Sequence, residues 1–190
     1  MGAIRVSVVG QSGAGKSTFA RRLSERLGIA RLELDGVFHQ NDWRPLPVDQ
    51  FRIRVFEFVS ETGSWVVDGN YGVVRPIVWA KSTHVRWLDL PKSVFMRRLI
   101  GRSVRRIFAR EQLWNGNREG LRNLFSRDVD ENVVLHAWQT YDANQTLFGQ
   151  AFLDEQWRHV RFIRVRTDGE VDKCLDSLSR LYEGEGCLDG

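Results

Sequence analysis

Gly10-Gln11-Ser12-Gly13-Ala14-Gly15-Lys16-Ser17-Thr18 carries the pattern G-x-x-x-x-G-K-[ST]. Its glycines let a backbone turn successive N–H groups inward, toward an anion with many oxygens. A helix starting at the end of such a loop adds about half a positive charge. Lys16 is placed to reach the β- and γ-phosphates of a nucleoside triphosphate, and Ser17 to bind Mg²⁺. Gly10, Ser12, Gly13, Ala14, Gly15, Lys16, Ser17 and Thr18 therefore form the expected nucleotide-binding set.

Such a loop is usually completed by an acid that helps hold Mg²⁺, often through water. Asp68 ends the apolar run Trp65-Val66-Val67, and Gly69 leaves room beside it. Asp89, in Trp87-Leu88-Asp89-Leu90-Pro91, is the rival for the metal and also reads as a helix cap. Asp35 follows Leu34 and reads either as a turn residue or as the carboxylate that orients or deprotonates a substrate hydroxyl. His39 reads as a base or as a solvated loop histidine.

The basic residues are 24 Arg and 4 Lys within a net charge of +4. Nine of the arginines and two acids lie between Arg97 and Arg127, a local charge of +7 on a body of −3. Such a segment calls for an anion. Arg98, Arg102, Arg105 and Arg106 recur at spacings of three and four, and the sequence shows no acid on that face. Their mutual repulsion is about a few tenths of a kcal/mol per pair, which a polyphosphate would relieve. Arg102 and Arg106 are the candidates for neutralising charge that develops during transfer. Arg110, Arg118 and Arg122 fall where a lid would close. The stripe also reads as a solvated face. A nucleic-acid surface with Trp114 and Phe125 for stacking is the third reading, but no helix-turn-helix, zinc-finger or RNP signature accompanies it.

These residues must be positioned by elements. Ile4 to Val9 reads as a buried strand, and Ser17 to Leu27 as a helix with Phe19, Leu23 and Leu27 on one face. Strands are expected over Ala30 to Leu34, Trp65 to Val67, His84 to Leu90 and His159 to Val165. Helices are expected over Val48 to Ser60, Val74 to Lys81, Pro91 to about Phe108, Glu131 to Asp154 with Asp128 or Asp130 as cap, and Glu170 to Tyr182. Gly36 to Pro47 reads as a polar loop. Strands alternating with helices imply an α/β fold whose parallel sheet is covered on both faces, with right-handed crossovers. Ligands then bind beyond the carboxyl ends of the strands, where Gly10, Asp35, Asp68 and Asp89 all fall.

With 190 residues, 42% hydrophobic and 27% charged, the chain suits one globular domain with a core of its own. No apolar run approaches the roughly 18 residues of a membrane helix, and no charged-then-apolar leader opens the chain. Met1-Gly2 lacks the hydroxyl residue at position 6 that myristoylation needs. Cys174 and Cys187 read as reduced thiols. The expectation is a cytoplasmic protein without membrane contact; its oligomeric state stays open.

Together these residues resemble the P-loop small-molecule and nucleotide kinases over nearly the whole chain. The likeness is closest to the adenylate-kinase-like group labelled DNA topology modulation proteins. It rests on the loop at 10–18, Leu34-Asp35 ahead of Trp43, Trp65-Val66-Val67-Asp68-Gly69-Asn70-Tyr71, Trp87-Leu88-Asp89-Leu90-Pro91 and Asn115-Gly116-Asn117-Arg118-Glu119. The resemblance implies a five-stranded parallel sheet in the order 2-3-1-4-5, a lid at about 103–127 and an acceptor segment at about 35–62. It implies ATP and Mg²⁺, with Asp68 supporting the metal, Arg98 stacking on adenine and Arg102 meeting the phosphates. Asn70-Tyr71 stands where adenylate kinases have Phe-Pro, and Arg75 lies three residues beyond their acceptor arginine. Asp35, Asn70, Arg75 and Arg110 make the expected acceptor set. The Thr-Gly that contacts AMP in adenylate kinases is absent near Asp35, so a hydroxyl-bearing acceptor, as in shikimate or gluconate kinases, stands level with a nucleotide. The expected activity is transfer of a phosphoryl group to a small molecule. A regulatory nucleotide-binding module is the alternative.

Overall fold

The computed structural model of the chain describes residues 3–109, 111–117 and 132–185. Arg110, Arg118, Arg122, Phe125, Asp128, Asp130 and Cys187 lie outside the described residues.

Five strands form one sheet: β1 (Arg5–Gly10), β2 (Ala30–Glu33), β3 (Trp65–Asp68), β4 (His84–Leu88) and β5 (Arg161–Val165). Their order is β2-β3-β1-β4-β5, and every pairing is parallel. The order and direction match the expectation. The central strands are short, rich in valine and buried on both faces, as a parallel sheet under two helical layers requires.

The helices are α1 (Lys16–Leu27), α2 (Leu34–Phe38), α3 (Val48–Glu61), α4 (Arg75–Lys81), α5 (Lys92–Phe108), α6 (Val133–Ala151) and α7 (Asp168–Glu185). One core cluster joins α1 and α7 to the sheet through Phe19, Leu23, Val6, Val8, Leu175 and Leu178. A second covers the opposite face with Phe51, Val55, Trp65, Trp79, Trp87 and Phe148. The Trp79 indole is fully buried, and its N–H is satisfied by Ser7 Oγ at 3.2 Å. No helix of the described residues is long and apolar enough to cross a membrane.

Several sequence expectations are corrected here. Asp35 lies in the short helix α2, not at the end of β2, which stops at Glu33, and the segment expected as a polar loop holds the rest of α2 and a 3-10 turn at Asn41–Trp43. β4 stops at Leu88 and β5 starts at Arg161. Asp89 is not a helix cap, because its carboxylate is taken by Arg164, whose Nε donates at 2.7 Å, and by Gln145 Nε2. Helix α6 begins later than expected, and Asn132 caps it: its side chain accepts from the N–H groups of Val134 and Leu135, at 3.0 Å each.

Candidate functional site

The loop between β1 and α1 owes its shape to two different demands on glycine. At Gly13 a Cβ would stand 2.5 Å from Phe95 O and 2.9 Å from Leu99 Cβ, so α5 packs directly on the loop backbone. At Gly15 nothing lies within 4 Å, but φ is +94°, which side-chain-bearing residues avoid. The result is a concave turn whose backbone feeds straight into the N-terminus of α1, a cradle suited to phosphate. Lys16 folds back over it and donates from Nζ to Gln11 O at 3.1 Å. Burial pulls the Lys16 ammonium below its ordinary pKa; Asp35 and Asp68 oppose that shift, and Arg102 adds to it. A lysine partly stripped of water, with two carboxylates in reach, is tuned to meet a new anion. Ser12 is half-buried, Ala14 is buried and Thr18 faces solvent.

Asp68 sits at the end of β3 and is 2% exposed. Burial pushes its carboxyl above the usual range, while a hydrogen bond from Ser17 and the charge of Arg31 pull it back. Arg31 Nε lies 3.2 Å from Asp68 Oδ1, and the same guanidinium pairs with Glu33 at 3.0 Å. The Ser17–Asp68 contact brings together the hydroxyl and the acid that the sequence reading assigns to Mg²⁺. Among the described residues no group of three His, Cys, Asp or Glu gathers to hold a metal alone. A Mg²⁺ site built from one or two protein oxygens and phosphate oxygens needs no such group. Arg31 and Glu33 were missed by the sequence reading, although their spacing of two on a strand places them on one face.

The charge of Asp35 also reaches Lys16. Tyr71 Oη donates to Asp35 Oδ1 at 2.7 Å, and His39 Nε2 is 3.3 Å from the same phenol oxygen. Burial first, and then the Asp35 charge and hydrogen bond, push the Tyr71 phenol far above its usual range. Burial lowers His39, with Asp35 opposing. Tyr71 is the residue that sequence reasoning passed over, and nothing in its local pattern points to Asp35.

Asn70 and Arg75 belong to a polar chain that the sequence does not suggest. Arg75 Nη2 donates to Asn70 Oδ1 at 3.0 Å, Asn70 Nδ2 to Asn144 Oδ1 at 3.3 Å, and Asn144 Nδ2 to Gln11 Oε1 at 2.9 Å. Gln11 Nε2 ends the chain on Ala137 O at 2.9 Å. The chain therefore ties the phosphate loop to α6 and to the start of α4. The Arg75 guanidinium lies 5.6 Å from the Trp79 ring and 5.5 Å from Phe148, and burial lowers its pKa. Asn70, Tyr71 and Arg75 line a pocket with Ser7, Leu34 and Trp79.

The arginine stripe of α5 differs from expectation. Acids from elsewhere reach it: Arg98 Nη2 meets both Asp168 oxygens, at 2.6 and 2.8 Å. Glu111 lies 3.6 Å from Arg105 and 3.7 Å from Arg106. Arg98 therefore spans from α5 to the first turn of α7. Arg102 and Arg106 are half-buried, with Arg102 the one whose charge reaches Lys16. Beyond α5 the chain returns to the segment that follows Asp35. Asn115 Nδ2 donates to His39 O at 2.5 Å, and Asn117 Nδ2 to Gln40 O at 2.8 Å. Asn117 Oδ1 in turn accepts from Trp43 N at 2.9 Å. The Trp114 ring so crowds Gly36 that a Cβ there would be 2.8 Å from it.

No family model matches the chain. It is 30% identical over 112 residues to a shikimate kinase of Thermosynechococcus vestitus, an alignment covering 52% of this chain and 61% of that protein. A shikimate kinase of Synechococcus elongatus is 31% identical over 107 residues, covering 50% of this chain and 56% of that one. The chain thus spans little more than half the length of the curated relatives it matches. Among solved structures, it is similar to shikimate kinase from Acinetobacter baumannii in complex with shikimate. That likeness has a TM-score of 0.55 and 16% identity, over 97% of this chain and 96% of that one. A gluconokinase from Sinorhizobium meliloti 1021 gives a TM-score of 0.51 and 16% identity, over 98% of each chain. These likenesses show that the fold is the one shared by these P-loop kinases.

Proposed function

We propose that the chain is an ATP-dependent phosphotransferase that moves the γ-phosphoryl group to a hydroxyl of a small molecule. The observation that carries this reading is one arrangement: Lys16 in the glycine cradle, within the electrostatic reach of both Asp35 and Asp68, with Ser17 hydrogen-bonded to Asp68. The curated likenesses to shikimate kinases support it.

In this reading the backbone at 10–15 and Lys16 bind the phosphates. Ser17 and Asp68 hold Mg²⁺, which supplies charge neutralisation at the phosphate oxygens when bound. Asp35 orients the acceptor hydroxyl. The acceptor oxygen forms a bond to the γ-phosphorus as the bond to ADP breaks, and the hydroxyl proton leaves to Asp35 or to water. Lys16 and Arg102 stabilise the negative charge on the group in transit, with Arg106 and Arg110 joining from the lid. Arg98 flanks the base, and Asn70 and Arg75 line the acceptor side. The lid at about 103–127 and the acceptor segment at about 35–62 belong to the same proposal, within one domain of a cytoplasmic protein. A hydroxyl metabolite with an acid group, the type named for the similar proteins, is the first acceptor class to try. The likeness to the DNA topology group adds no nucleic-acid role to this proposal.

The test is transfer of label from γ-labelled Mg-ATP to a panel of sugar acids, shikimate, nucleosides and nucleotides, with Lys16→Ala beside wild type. Label on one acceptor, reduced by about 10²–10³ in Lys16→Ala, is the expected result. Equal transfer by Lys16→Ala would sink the reading. Saturable ATP binding with no labelled product, even from a metabolite extract, would instead favour the regulatory module.

A further inference from the structure

Three side chains meet beside the acceptor pocket. Tyr71 Oη is 2.7 Å from Asp35 Oδ1 and 3.3 Å from His39 Nε2. A phenol has one proton to donate, and a carboxylate offers none. The shorter contact is therefore Tyr71 donating to Asp35, with His39 Nε2 beside the same phenol oxygen.

The Tyr71 ring has little freedom to leave. It packs against Phe38, with centroids 4.8 Å apart, and edge-on against Phe51 at 5.2 Å. Phe38 lies on α2, three residues from Asp35, so the helix that carries the carboxylate also carries one wall for the ring that grips it. The Tyr71 carbonyl accepts from Val74 N at 3.2 Å and Arg75 N at 3.0 Å, which pins its backbone to the start of α4. Among the described residues Asp35 Oδ2 receives no hydrogen bond.

We propose that Tyr71 is the positioning residue for Asp35: its phenol holds Oδ1 and presents Oδ2 to the acceptor hydroxyl. This rests on the phosphotransferase reading above. It goes further by naming a residue that acts through Asp35 and by fixing which carboxylate oxygen reads the acceptor. A free Asp35 would sample several rotamers, and only some would aim an oxygen at the phosphate cradle.

Mg-ATP hydrolysis, with water as the smallest acceptor, tests the proposal without knowing the natural one. Wild type, Tyr71→Phe, Asp35→Asn, the double variant and Lys16→Ala are compared for turnover, nucleotide dissociation constant and melting temperature. Tyr71→Phe and Asp35→Asn should each lower turnover about tenfold, the scale of one hydrogen bond to a charged group. The double variant should fall no further than the worse single one, because both act through one contact. Nucleotide affinity should not change. Wild-type turnover in Tyr71→Phe would overturn the proposal. Multiplying losses in the double variant would also overturn it, and this holds even where a single variant is less stable. Turnover that is absent in wild type with water and with the acceptor panel alike, or that survives in Lys16→Ala, would overturn the phosphotransferase reading instead.

Discussion

Lys16 and Asp68 owe their chemistry to surroundings more than to type. Burial strips water from Lys16 and favours its neutral form, and the nearby carboxylates oppose that shift without cancelling it. Asp68 feels the same burial with the opposite sign. His84 gives this residue-scale effect a measurable pH dependence. Burial, together with Arg86 and Arg161, lowers its pKa to about 4. Its unfolded value is about 6.5, so as the pH falls below 6.5 the unfolded chain takes up a proton that the folded chain refuses. Stability contributed by the neutral ring is therefore intact above pH 6.5 and is lost as the pH falls toward 4. The loss is on the order of 1 kcal/mol, allowing for solvent screening of a half-buried ring. Melting temperatures of wild type and His84→Asn across this range check it: the wild type should lose more than the variant. Parallel curves would refute the assignment.

At the scale of elements, the phosphate loop is held by its contact with α5 as much as by its own turns. Gly13 and Gly15 both have positive φ, at +84° and +94°, but only Gly13 lies against another element. Gly15→Ala should cost backbone strain alone, about 1–3 kcal/mol. Gly13→Ala adds a clash with the Phe95 carbonyl and Leu99, and should be the less stable variant by about a further 1–3 kcal/mol. Chemical denaturation of the two proteins decides the order, and equal stabilities would mean that the loop moves away from α5 without cost. The same contact lets a shift of α5 act on the cradle directly, since Arg98 and Arg102 ride on that helix.

Across the whole molecule, side chains from distant parts of the chain close the site. Residues 113–117 dock on the segment that follows Asp35, and Asn117, 5% exposed, makes two of the joining bonds. Asn117→Ala removes both, at about 1 kcal/mol each. Amide hydrogen exchange at Trp43 should then quicken by about tenfold or more, while the β1 amides keep their protection. Unchanged exchange at Trp43 would show that the docking does not hold this segment. The polar chain from Arg75 through Asn70 and Asn144 to Gln11 is a second long-range tie. Asn144→Leu should destabilise the protein by about 1–3 kcal/mol, because Gln11 and Asn70 would each lose a partner. A melting temperature equal to wild type would count against that.

The alternation of valine-rich runs with amphipathic ones determined, from sequence alone, that the sheet is parallel and covered on both faces. The spacing of Gly10, Gly13, Gly15, Lys16 and Ser17 likewise determined where a phosphate cradle forms. Both follow from backbone geometry, whose periods of two and 3.6 residues, and whose φ limits, act over a few neighbouring positions. The strand order came from family likeness, and the sheet agrees with it. The partners of the polar residues were decided only by the tertiary structure. Asp35 finds Tyr71 across 36 residues, Arg98 finds Asp168 across 70, and Arg164 takes the Asp89 expected to cap a helix, across 75. No local period encodes such pairs, because they exist only after packing has brought separate elements within hydrogen-bond distance and removed the water between them.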